Sequence, residues 1–237
     1  METGLLFTLA LLILLALVFP VLGVRDHRLL LQRISEGDSQ ARSKFYKDVL
    51  IWHWPLTIGF LGWWLLSGNS LDSVGLLPVV AEGQWLSIGI GLAVVATQII
   101  YLAQVTRSEE KLAAAREQIG DLSSLAPRTD SEARLFDMVS ITAGICEEIL
   151  YRGLLLAVLV PLTGLWPAVV LSSLIFGLGH AYQGIAGILK TGLVGLALAL
   201  LTVFTGSLFI AILLHTVLDM SSGRVMRKAM QLTPQAA

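Results

Sequence analysis

Glu147, Glu148, Arg152, His180, His215 and Asp219 stand inside, or at the end of, stretches that are otherwise apolar. A charged side chain costs about 2.5–3.5 kcal/mol at the centre of a membrane helix on insertion scales. Six polar groups spread over three apolar runs need a reason, and a shared cavity in which they meet supplies one. Their types suit hydrolysis. A desolvated carboxylate can take a proton from water, and an imidazole can relay a proton or hold a developing charge.

The spacing divides the labour. Residues four apart share a helix face, so Glu148 and Arg152 stack as an ion pair, the usual way for a charge to sit at hydrocarbon depth. Glu147 is turned about 100° away, shares its face with Tyr151, and is left for chemistry. Phe176 and His180 also lie one turn apart, with Gly177 and Gly179 leaving room for a close neighbour. His215 and Asp219 repeat the spacing, and a carboxylate there can orient an imidazole. Cys146, the single cysteine, excludes an intramolecular disulfide and reads as a buried thiol. His53, between Trp52 and Trp54, reads as an interface anchor.

The elements that must carry these residues are membrane helices. Of 237 residues, 55% are hydrophobic and 14% charged, against about a quarter charged in soluble domains. The net charge of −1 gives no case for a nucleic-acid partner. Seven runs approach the roughly 20 residues that cross a bilayer: 4–24, 49–67, 85–105, 138–160, 165–181, 185–204 and 206–221. The expected fold is all-α, a polytopic bundle of about seven transmembrane helices. Basic residues cluster after runs one, three and seven, while 68–84 carries no Lys or Arg. Basic loops stay cytoplasmic, so the N-terminus is expected outside and the C-terminus inside. The short loops suit a bacterial inner membrane. The chain divides into a three-helix unit (1–105), a linker with an amphipathic helix (106–137), a four-helix core (138–222) and a tail (223–237).

At these residues the sequence resembles the CPBP intramembrane protease family, the CAAX-processing and bacteriocin-related group also called ABI. Its signatures are E-E-x-x-x-R, F-x-x-x-H and H-x-x-x-[ND], matched by Glu147-Glu148-…-Arg152, Phe176-…-His180 and His215-…-Asp219. The resemblance covers about 138–222. It implies intramembrane peptide-bond hydrolysis, with a lipidated or membrane-embedded peptide as substrate and membrane lipid as surroundings. On that resemblance Glu147 and His180 activate the water. His215 and Asp219 stabilise the oxyanion or hold geometry, and Glu148, Arg152 and Phe176 support them. Glu147, His180 and His215 could together hold Zn²⁺ with one open position. H-E-x-x-H is absent, and Glu147 does not easily serve as both ligand and base, so no cofactor is assigned. Two rivals follow from the same residues: a non-catalytic immunity or scaffold protein that keeps them as a structural network, and a proton-coupled transporter.

Overall fold

The computed structural model describes residues 2–77 and 84–232. Residues 78–83 of the expected 68–84 connection, and 233–237 of the expected tail, lie outside the described residues. Every regular element among the described residues is helical. In chain order they are α1 (Glu2–Ile13), α2 (Phe19–Ser35), α3 (Ala41–Leu66), α4 (Gln84–Val105) and α5 (Glu109–Ile119). There follow α6 (Asp130–Glu148), α7 (Leu156–Thr163), α8 (Leu165–Gly179), α9 (Gly184–Thr205) and α10 (Leu208–Gln231). A π-helical stretch, Leu14–Val18, joins α1 to α2, and a second, Ile149–Leu155, joins α6 to α7.

The polytopic bundle read from the sequence is present. Among the described residues five helices are long and apolar enough to cross a membrane: Gly4–Ser35, Ala41–Leu66, Gln84–Val105, Ala181–Thr205 and Leu208–Gln231. Two of the seven expected runs are not among them. Helix α8 has only 15 residues, and the rod from α6 to α7 carries Glu147, Glu148 and Arg152 close together. Helix ends also differ from the sequence reading. The first helix runs on past residue 24 to Ser35 and stops before Gly37, whose φ is +82°. The residues after 222 continue α10 to Gln231, because Met226 and Ala229 are buried and Ala229 packs with Leu112 of α5. The amphipathic helix expected in 106–137 is α5, capped by the Ser108 side chain, which accepts from the Lys111 N–H.

Helix α6 starts at a capping box in which Thr129 accepts from the Glu132 N–H and Glu132 accepts from the Thr129 N–H. Arg227 pairs with Asp130 and holds that carboxyl below the usual carboxylate range. Along its length α6 packs between α10 and α3. The largest core cluster joins Phe7, Leu11 and Leu15 to Leu150, Leu154 and Phe176. The first helix is therefore bound into the same core as the site-bearing helices.

Large apolar side chains also face outward, among them Leu66, Leu86, Ile185 and Leu193. An apolar exterior around buried Ser, Thr, Glu and Arg is the polarity of a protein solvated by lipid. In that solvent, burial of apolar surface does not drive helix association, and close backbone approach through small residues contributes instead. Gly177 shows this best. A Cβ there would stand 2.6 Å from the Ile188 carbonyl and 3.1 Å from Gly192 Cα. Neither backbone atom can yield without parting α8 from α9. Gly144 meets α10 in the same manner, against Thr216.

Gly177→Val is therefore expected to lower stability by about 1–3 kcal/mol, as overpacking does. Gly89→Ala, where a Cβ meets nothing within 4 Å, should leave the detergent melting temperature within a degree or two.

Candidate functional site

The site is built around a buried line of charge. Arg152 Nη1 donates to Glu148 Oε1 at 2.7 Å, and the same oxygen accepts from His215 Nδ1 at 2.8 Å. Exposures are 0% for Glu148, 2% for Arg152 and 4% for His215. A carboxylate paired with a guanidinium only accepts, so His215 carries its proton on Nδ1 and turns Nε2 the other way. Arg152 Nη2 donates to the Gly195 carbonyl at 3.0 Å, and its guanidinium carbon lies 4.1 Å from the Phe176 ring centroid. A Cβ on Gly195 would press on both Arg152 and Phe176. The expected Glu148–Arg152 pair is thus present, and Glu148 has a second task. It bonds His215 directly, whereas Asp219 Oδ2 stands 3.7 Å from Nε2, outside hydrogen-bonding range. Aspartate one turn along the same helix reaches the outer edge of the ring, and Glu148 reaches its inner edge from α6.

Glu147 faces the other way, as its rotation from Glu148 requires. Its Oε2 is 4.0 Å from His215 Nε2 and has no hydrogen-bond partner within the protein. Its Oε1 is 3.5 Å from Nε2 of His53, on α3. His53 is thus a member of the cluster rather than the interface anchor expected from its tryptophan neighbours. Trp54, next to it, donates from Nε1 to Thr142 Oγ1 at 3.1 Å. Nothing local in the sequence marks His53, since its partner lies on a distant helix.

His180 ends α8. Its Nδ1 donates to the Phe176 carbonyl at 3.0 Å, leaving Nε2 free of that bond. Its ring lies 4.9 Å from Phe176, and Phe176 meets His215 at 5.7 Å, so Phe176 stands between the two imidazoles. His180 is near enough to interact electrostatically with Glu147 and Asp219. Asp219 is the open member, with a side chain 41% exposed, against 15% for Glu147. The six residues singled out by sequence therefore converge from α6, the π stretch, α8 and α10. Cys146 beside them is fully buried.

The π stretch begins directly after Glu148, and all seven of its residues are buried. π turns inside α-helices occur often at functional sites. Here the wider turn contains Arg152, and its Tyr151 carbonyl accepts from Ser172 Oγ of α8 at 3.0 Å. An open groove of about 600 Å³ runs along α2 past Pro20, Val21, Val24, Arg25 and Arg28 to Ala181, the neighbour of His180.

Glu147, His180 and His215 are, by residue type, the side chains expected to hold Zn²⁺ if an ion is bound. Among the described residues no three His, Cys, Asp or Glu side chains are grouped so as to hold a metal ion. Nδ1 of His180 and of His215 each bonds a protein oxygen, which leaves Nε2 as the nitrogen each ring turns to the site.

Residues 131–221 match the family model described as Type II CAAX prenyl endopeptidase Rce1-like. The segment contains all three motifs, in agreement with the resemblance to the CPBP family. No curated protein and no solved structure matches the chain.

Replacing Arg152 by Met would leave Glu148 buried without its cation. Breaking a buried pair in this way costs about 3–5 kcal/mol, and protein level and melting temperature should fall sharply. Adding Glu148→Gln, whose amide oxygen still accepts from His215, should recover much of the loss.

Proposed function

We propose that this integral membrane protein, Rce1-like over residues 131–221, is an intramembrane endopeptidase acting on membrane-associated peptides of the prenylated CAAX type. The observation that carries the reading is Glu147 Oε2. It is a carboxylate oxygen in a mostly apolar bundle, without a protein hydrogen-bond partner, turned toward His215 Nε2. A carboxylate so placed is a general base for a water.

In this reading Glu147 Oε2 takes a proton from water as the oxygen attacks the scissile carbonyl. His180, its Nδ1 committed to the Phe176 carbonyl, presents Nε2 to the same water. His215 is fixed through Glu148 at Nδ1, so as an imidazolium it turns a second N–H, on Nε2, toward the carbonyl oxygen that gains charge, and Asp219 on the same side of the ring favours that charged form. Glu147 then returns the proton to the departing amine, as a base that becomes an acid. Arg152 and Glu148 act by holding His215. The groove along α2 supports the substrate class. It offers apolar wall to a lipid chain and carries Arg25, itself paired with Asp26, and Arg28 for an acidic terminus, and its lining reaches Ala181, next in sequence to His180.

The orientation belongs to the same proposal. Seven crossings with the N-terminus outside put the basic stretches on the cytoplasmic side, where lipidated peptides are encountered. Reporter fusions at the two termini should report opposite sides.

Glu147→Gln removes the base without changing shape. Cleavage of a farnesylated CAAX-type peptide by the purified protein should fall by about 10²–10⁴-fold, with melting temperature unchanged. Wild-type cleavage should survive a strong chelator. Full activity in Glu147→Gln would eliminate this mechanism, and activity abolished by chelation and restored by Zn²⁺ would replace it with a metal-dependent one. Loss of function that merely tracks protein level would favour the structural-network alternative.

A further inference from the structure

His53 lies on α3, well outside the segment that matches the family model, yet it is within 3.5 Å of the carboxylate assigned as base. Its hydrogen bonding is informative. Nδ1 lies 2.9 Å from the Val49 carbonyl. A carbonyl can only accept, so Nδ1 carries a proton. A neutral imidazole has one N–H, so Nε2 of neutral His53 would present a lone pair to Glu147 Oε1. Two lone pairs facing each other repel. The contact becomes attractive only when a proton stands between them.

We propose that His53 is a positioning residue for Glu147, the two side chains holding one proton between Nε2 and Oε1. The inference rests on the endopeptidase reading for its catalytic consequence, but not for the pairing itself. With the proton shared, the pair carries no net charge, which suits an apolar bundle. Oε1 is occupied, and Oε2, buried and without a protein partner, is the oxygen left to take a proton. When Oε2 accepts a proton from the attacking water, the pair holds two protons. When Oε2 gives one to the leaving amine, the pair returns to one. The balance needs no outside donor.

Other groups near Glu147 do not take this role. Glu148 is committed to Arg152 and His215. His215 Nε2 is 4.0 Å away on the Oε2 side, Asp219 approaches that same nitrogen, and His180 is held by its Nδ1 bond to the Phe176 carbonyl. The approach of α3 is also fixed independently. Tyr46 packs on Phe136 at 5.6 Å, and Trp54 bonds Thr142, so the His53 contact belongs to a well-anchored helix pair. Phe19 lies 5.8 Å from the His53 ring and would pack equally against phenylalanine.

The test compares His53→Phe with His53→Gln in the full-length protein. On a farnesylated CAAX-type peptide, His53→Phe should lower kcat about 10–100-fold with KM changed less than twofold. His53→Gln, whose amide N–H can still reach Oε1, should recover most of that loss. A merely structural His53 would not give this split, and equal effects of Phe and Gln, or full kcat in His53→Phe, would overturn the proposal. A second readout does not depend on proteolysis. Melting of wild type, His53→Phe, Glu147→Gln and the double variant forms a cycle. Clear non-additivity supports the shared proton, and additivity overturns it. Non-additivity in a protein that cleaves nothing would uphold the pair while removing the endopeptidase reading.

Discussion

The arrangement depends on one carboxylate, Glu148, serving two partners. Its Oε1 receives both the Arg152 guanidinium and the His215 imidazole. A fully buried carboxylate without a cation would be strongly destabilising, and an untethered imidazole would have two ring faces and two tautomers to choose from. The single oxygen removes both problems. It also ties α6 and the π stretch to α10, while Arg152 reaches α9 through Gly195 and α8 through Phe176. Four parts of the bundle are joined by one charged line, and Glu147 is left outside it.

That line requires close packing, and the glycines provide it. Gly195 lets Arg152 and Phe176 lie together, Gly177 brings α8 onto α9, and Gly144 brings α6 onto α10. In lipid, where apolar contacts between helices gain little over contacts with acyl chains, such approaches help decide which surfaces meet. The polar centre and the glycine stripes are therefore parts of one solution. The stripes permit the distances at which the buried charges compensate one another.

How much of this could be read from the chain differs by residue. The Glu148–Arg152 pair was legible because both partners lie on one helix at a fixed spacing. The convergence of Glu147, His180 and His215 was legible from the improbability of ionisable groups in three apolar runs. The Glu148–His215 bond was not, because it joins two helices and the nearer partner in sequence, Asp219, was the natural choice. His53 was not legible for the same reason, and its tryptophan neighbours suggested an interface. Helix ends were poorly marked where hydropathy falls but helix propensity does not, as after residue 24 and after residue 222. The π stretch left no pattern, since its residues read equally well as ordinary helix.

Helix α10 runs unbroken from His215 and Asp219 to Gln231. Beyond the site it is fastened at Arg227 to Asp130, and at Lys228 to the Thr106 carbonyl, while Arg116 of α5 reaches the Leu232 carbonyl. The far half of the rod is therefore clamped from two sides, by the start of α6 and by the turn that precedes α5. Because the helix is unbroken, that distal clamp shares in setting the azimuth at which His215 and Asp219 face the site.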